Sequence, residues 1–168
     1  EDPTVIEELS RLTASQVIDQ YGSNSDYTGS VYMAYLNAYA GDINFGDLTI
    51  TSMEGIGWAR KAKNMNLEGL KLTTGEITEV PDSEFNACTG LEQITFPETL
   101  KKIGKNAFSG CTALEGDLDM GRMLTRIGAS AFAGCTSLKQ VSLPRALQQV
   151  GECAFADCRS LSGRISLP

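Results

Sequence analysis

The sequence predicts an α/β solenoid, in which short parallel strands stack turn upon turn behind an N-terminal helical cap. Three observations carry this reading. One phrase recurs in the C-terminal half: Ile103-Gly104-x-x-Ala107-Phe108-x-Gly110-Cys111-x-x-Leu114, then Ile127-Gly128-x-x-Ala131-Phe132-x-Gly134-Cys135-x-x-Leu138, then Val150-Gly151-x-x-Ala154-Phe155-x-Asp157-Cys158-x-x-Leu161. A degenerate copy precedes them in Val80, Phe85, Cys88 and Leu91, so the cysteines step by 23, 24 and 23 residues. A fixed period in this range marks a repeat array whose units must stack to cover their apolar faces. Finally, apolar and polar residues alternate after each phrase, as in Val141-x-Leu143, which is the pattern of a short half-buried strand.

The cap is read from residues 1–45. Asp2-Pro3-Thr4 has the residues of a helix start, with a capping Asp and Pro in the first turn. Val5, Leu9 and Leu12 follow at helical spacing, and Val17, Ile18 and Tyr21 extend the apolar face. After a polar loop over 22–29, residues 31–40 read as a second helix with Gly41 at its C-terminal cap. Tyr32, Tyr35 and Tyr39 fall on one stripe of that helix. They are expected to pack on the first repeat, with an aromatic contact surface for sugar or protein as the alternative. Asp42, Asn44 and Asp47 resemble a calcium loop only loosely. Gly46 and Met53 stand where that loop needs an acid and a Glu, so a turn is expected.

The array is read from residues 46–168, with clear repeats from 80. Leu48-Thr49-Ile50 is a short alternation, and Thr51-Ser52-Met53-Glu54 fits a capping box opening a helix through Trp58 and Ala62. Leu67-x-x-Leu70-x-Leu72 has the strand spacing of Leu91-x-x-Ile94-x-Phe96, 24 residues later. Parallel strands are therefore expected near 70–72, 93–96, 117–120, 140–143 and 164–167. Within one repeat, Pro144 lacks an N–H and ends the ladder, Leu147 and Val150 turn inward, and Gly151 is assigned to a tight bend. Ala154 and Phe155 then form the opposite wall. Leu114 to Leu118 and Leu161 to Ile165 each carry one extra residue, so a small bulge is expected before those strands.

The phrase and its spacing resemble the BspA-like leucine-rich repeats of surface and secreted proteins, mostly bacterial. The resemblance covers residues 80–168. Ser52-Met53-Glu54-Gly55-Ile56 more loosely resembles the first repeats of internalin-like arrays. It implies a right-handed leucine-rich repeat superhelix with a binding or adhesion role outside the cell. Thr99 and Ala146 stand where the wider leucine-rich signature has Asn or Cys, so no asparagine ladder is expected.

Composition narrows the chemistry. The 168 residues carry a net charge of −7. Residues 1–54 hold nine acids and one base, and residues 55–168 hold twelve acids and thirteen bases. No basic run suggests nucleic acid, and no apolar run of about 18 residues suggests a membrane span. Histidine is absent, which removes His-based triads and HExxH zinc sites. Phosphate-loop, dinucleotide and CxxC motifs are absent too, and no cofactor is expected. Cys88, Cys111, Cys135 and Cys158 read as buried thiols packed as small apolar residues. A disulfide framework is the alternative, disfavoured because stacked side chains point the same way.

The expected function is therefore a non-catalytic recognition module of a secreted or surface protein, binding a protein or glycan. Its face is the concave strand surface, lined by Lys71, Gln93, Thr95, Asp117, Asp119, Gln140, Ser142, Arg164 and Ser166. A structural spacer is the alternative, and a hydrolase using Asp117 and Asp119 a remote one. The strand near Leu167-Pro168 is expected to leave an open edge, met by further chain or by self-association.

Overall fold

A computed structural model of the chain describes residues 41–44, 49–50, 60–68, 71–72 and 75–162. These residues form a parallel-strand solenoid with two strand walls. The first wall contains β1 (Ile43–Asn44), β3 (Asn64–Asn66), β7 (Gln93–Thr95), β9 (Gly116–Asp119) and β11 (Leu138–Ser142). The second contains β6 (Glu79–Val80), β8 (Lys102–Ile103), β10 (Arg126–Ile127) and β12 (Gln149–Val150), paired parallel in the order β6-β8-β10-β12. On the first wall β1, β3 and β7 pair in one sheet and β9 with β11 in another, all parallel.

The extra residue after Leu114 explains that seam. Glu115 N–H still donates to Glu92 O at 3.0 Å, but β7 and β9 do not form a continuous ladder. Gly116 takes a positive φ of 82°, and the β9–β11 register slips between Leu138 and Gln140. The irregularity thus falls where these two turns meet, but its unpaired residue is Lys139 on β11 rather than a residue of the Leu114 repeat where the bulge was expected. Its counterpart over 161–165 reaches past the described residues.

Between the second wall and the return to the first, the chain runs as consecutive turns. No helix occurs among the described residues. The turns are nevertheless laddered. Phe85, Phe108 and Phe132 N–H groups donate to Ala107, Ala131 and Ala154 carbonyls of the next turn at 2.8, 2.7 and 2.7 Å. This third ladder satisfies backbone groups that a buried irregular segment would otherwise leave unpaired.

Each turn needs two left-handed residues to close. Ser83, Asn106, Ser130 and Cys153 occupy one such place with φ of 54–60°. Ala87, Gly110, Gly134 and Asp157 occupy the other. The glycine of Gly-Cys is therefore the residue suited to positive φ. The glycine after Ile or Val has a different reason from the tight bend assigned to it. A Cβ on Gly128 would lie 2.6 Å from Gly104 C and Lys105 N, and one on Gly104 2.6 Å from Asp82 N. These glycines let the backbones of successive turns touch.

The core lies between the walls. Phe85, Phe108, Phe132 and Phe155 stack nearly parallel, with centroids 5.0, 5.1 and 5.4 Å apart. Phe96 meets Phe108 edge-on at 5.7 Å. Such ring pairs add about 0.5–1.5 kcal/mol beyond the area they bury. Leu91, Leu100, Ile103, Leu114, Leu124, Ile127 and Leu138 fill the space around them and are fully buried.

The repeat cysteines form a column beside the rings. Cys88, Cys111 and Cys135 are buried, and none of the chain's five cysteines forms a disulfide. Cys111 Sγ donates to Phe85 O at 3.1 Å, Cys135 to Phe108 O at 3.2 Å and Cys158 to Phe132 O at 3.1 Å. The thiol hydrogen bond with Cys88, then burial, pushes the Cys111 pKa up; that with Cys158, then burial, does the same for Cys135. The hydrogen bond with Cys135 lowers Cys158. Cys158 is half-buried rather than buried as expected.

Several expectations meet the structure differently. Lys71 does not stand on the first wall. It belongs to β4 (Lys71–Leu72), which pairs parallel with β2 (Thr49–Ile50) and antiparallel with β5 (Gly75–Glu76). The first-wall rung before β7 is Asn64–Asn66, with Asn64 opposite Gln93. The step is 29 residues because the hairpin of β4 and β5 is inserted, so extrapolating the regular period landed on the wrong strand. At the start of the array Ile43–Asn44 is a strand paired with Met65 and Asn66, where a turn was expected. Arg60–Lys61 is a turn and Ala62 is not helical. The two cap helices, the tyrosine stripe, the helix over 52–59 and the strand over 164–167 lie outside the described residues.

Candidate recognition face

The first wall presents four regular rungs: Asn64-Met65-Asn66, Gln93-Ile94-Thr95, Asp117-Leu118-Asp119 and Gln140-Val141-Ser142. A strand alternates its side chains, so the central apolar residue points into the core and its neighbours outward. Met65, Ile94 and Leu118 are buried, and Val141 is half-buried. Gln93, Thr95, Asp117, Asp119, Gln140 and Ser142 are all exposed, which brings six of the expected face residues onto one surface. Lys71 is not among them, for the reason given. Arg164 and Ser166 lie outside the described residues.

Asn64 and Asn66 belong to the face and were not anticipated. The sequence did hold a signal for them: Asn64-Met65-Asn66-Leu67 has the alternation of Gln93-Ile94-Thr95-Phe96. Its distance from the next rung hid it. Asn64 Nδ2 donates to Asp42 Oδ1 at 2.6 Å.

Charge along the margin is largely paired. Lys63 meets Glu92 at 3.3 Å and Lys139 meets Glu115 at 3.1 Å, each tying one turn to the next. Exposed pairs of this kind contribute little stability, with a median of about 0–1 kcal/mol. Asp119 Oδ1 accepts the Gly121 N–H at 2.9 Å. The exposed side chains of the face are amides, hydroxyls and two carboxylates, suited to hydrogen bonding.

The BspA type leucine-rich repeat region matches residues 61–168 in six copies. The chain belongs to this family. This BspA-type array is also similar in fold to solved bacterial structures. A leucine-rich repeat protein from Bacteroides ovatus shares 26% identity over 72% of this chain and 30% of that one, with a TM-score of 0.58. The T. pallidum leucine-rich repeat protein shares 24% identity over 72% of this chain and 56% of its own, at a TM-score of 0.59. A leucine rich cell surface protein from Faecalibacterium prausnitzii shares 19% identity over 74% and 31%, at 0.54. The chain thus spans between 30% and 56% of the length of these proteins. No curated protein matches it.

Proposed function

We propose that this BspA-type array is a non-catalytic recognition segment of a surface or secreted protein, and that its first wall binds a protein or glycan. The observation that carries the reading is the four-rung field of outward polar side chains held on a rigid laddered core. Hydrogen-bonded rungs lie about 4.8 Å apart, as where Asn64 pairs with Gln93 and Asp117 with Gln140, so a partner lying along the stack meets a row of donors and acceptors on each side of the β7–β9 seam. Affinity then comes from many modest contacts rather than one pocket. The surface location rests on the family and on the Faecalibacterium cell surface protein. Among the described residues no helix is long and apolar enough to cross a membrane.

A glycan array and a panel of extracellular proteins, probed with the full chain, test the reading. Binding should weaken at least tenfold on Gln93→Ala with Gln140→Ala. Loss only on Tyr27→Ala would move the site to the segment over 21–39, which holds all five tyrosines. Retention in both variants would favour a spacer.

A further inference from the structure

Away from the first wall, the corner leading to the second wall carries an uneven charge. Three successive corners read Pro97-Glu98-Thr99-Leu100, Gly121-Arg122-Met123-Leu124 and Pro144-Arg145-Ala146-Leu147. Their leucines are buried and their second residues exposed, so Glu98, Arg122 and Arg145 hold equivalent places one turn apart. On the adjoining second wall Arg126 stands opposite Lys102 in register. Lys101, just before it, is exposed and accepts Thr125 and Arg126 N–H groups on its carbonyl at 2.9 and 3.2 Å. Neighbouring strands are about 4.8 Å apart. Lys101, Arg122, Arg126 and Arg145 therefore share one stretch of surface.

Among the described residues none of these four makes an ion pair, whereas Lys102 is paired with Glu79. Glu98 bounds the patch one turn earlier. Four cations uncompensated among the described residues stand against the composition of a chain whose net charge is −7. No basic run in the sequence announces it, because its residues come from separate turns.

We propose that this basic corner binds a polyanionic glycan bearing repeated sulfate groups. Guanidinium groups match tetrahedral oxyanions through paired N–H donors, and three of the four residues are arginines. Their repetition at the turn spacing suits a polymer with regularly placed anions. No aromatic residue stands among the corner residues to stack a base, which favours a saccharide over single-stranded nucleic acid. The net negative charge repels a polyanion at long range, but that repulsion is screened beyond about 8 Å at physiological ionic strength. Binding is thus confined to direct contact at the patch and falls steeply with salt. This surface is separate from the strand face, and either reading stands if the other fails.

Immobilised heparin, probed with the full chain at low and physiological salt, tests the proposal. Arg122→Ser, Arg126→Ser and Arg145→Ser together should lower affinity at least tenfold with an unchanged melting curve. Gln93→Ala with Gln140→Ala should leave heparin binding unaltered. If the triple variant folds poorly, Lys101→Ser with Arg145→Ser should still lower it at least threefold. No binding at low salt, undiminished binding by the folded variants, or equal binding to desulfated heparin would overturn the proposal. Tighter binding to duplex DNA of matched charge would replace the glycan with nucleic acid.

Discussion

The turn carrying Phe108 and Cys111 and the turn carrying Phe155 and Cys158 are written in the same phrase but differ in burial. Phe108 has a ring stacked on each side and a third at its edge, and Cys111 is fully buried. Phe155 stacks on Phe132, and with Cys158, Val150 and Leu161 it is half-buried. The comparison teaches that in a stacked array burial belongs to the neighbours rather than to the repeat itself. One turn's sequence dictates its conformation, and the next turn supplies much of its stability.

Truncating the two rings should show this most strongly. Phe108→Ala removes a ring packed from both sides and should cost about 4 kcal/mol. Phe155→Ala should cost roughly half that, because less packed surface is lost. Denaturant midpoints with unchanged slopes would measure both. Equal losses would mean that the Phe155 turn is as well covered as the Phe108 turn.

The repeat glycines separate two causes that the sequence presents alike. Gly128→Ala drives a Cβ into the backbone of the preceding turn, where Gly104 C and Lys105 N lie 2.6 Å away. Neither backbone can give without breaking the ladder, so about 3 kcal/mol should be lost. Gly134→Ala meets its nearest neighbour at 3.7 Å and suffers only from its φ of 74°. A left-handed conformation costs a non-glycine residue roughly 1–2 kcal/mol. The converse change, Asp157→Gly at φ 57°, should gain about 1 kcal/mol. Melting temperatures of the three variants rank the effects, and a mild Gly128→Ala would show that the turns can move apart.

The solenoid, its first parallel wall and its phenylalanine and cysteine columns were legible because each rests on a short repeated phrase, whereas the second strand wall through Val80, Ile103, Ile127 and Val150 was read only as an inward turn. Six face residues followed from the same period. What failed was extrapolation across a break in that period. The β4–β5 hairpin shifts the rung before Gln93 from the expected neighbourhood of Lys71 to Asn64–Asn66. The first left-handed place was invisible for another reason. Ser83, Asn106, Ser130 and Cys153 are not one residue type and none is glycine, so only the backbone conformation unites them. The basic corner was hidden because it is assembled from residues that are neighbours only after stacking.

The cysteines give the finest measure of the difference between the buried turns and the Cys158 turn. Replacing Cys135 by Ser leaves a shorter hydroxyl facing the Phe108 carbonyl in an apolar setting, and should cost about 1–3 kcal/mol. At half-buried Cys158, water can satisfy the hydroxyl, and the cost should fall below about 1 kcal/mol. Thiol labelling of the native chain reports the same order without mutation. Exposed Cys153 should react first and Cys158 next, while Cys88, Cys111 and Cys135 wait for unfolding. The thiolate is the reactive form. Raising the pH should therefore speed labelling of Cys158, whose pKa is lowered, before it touches Cys111 or Cys135, whose pKa values are raised. Labelling of Cys135 as fast as Cys158 in the folded protein would erase the distinction between the buried turns and the Cys158 turn.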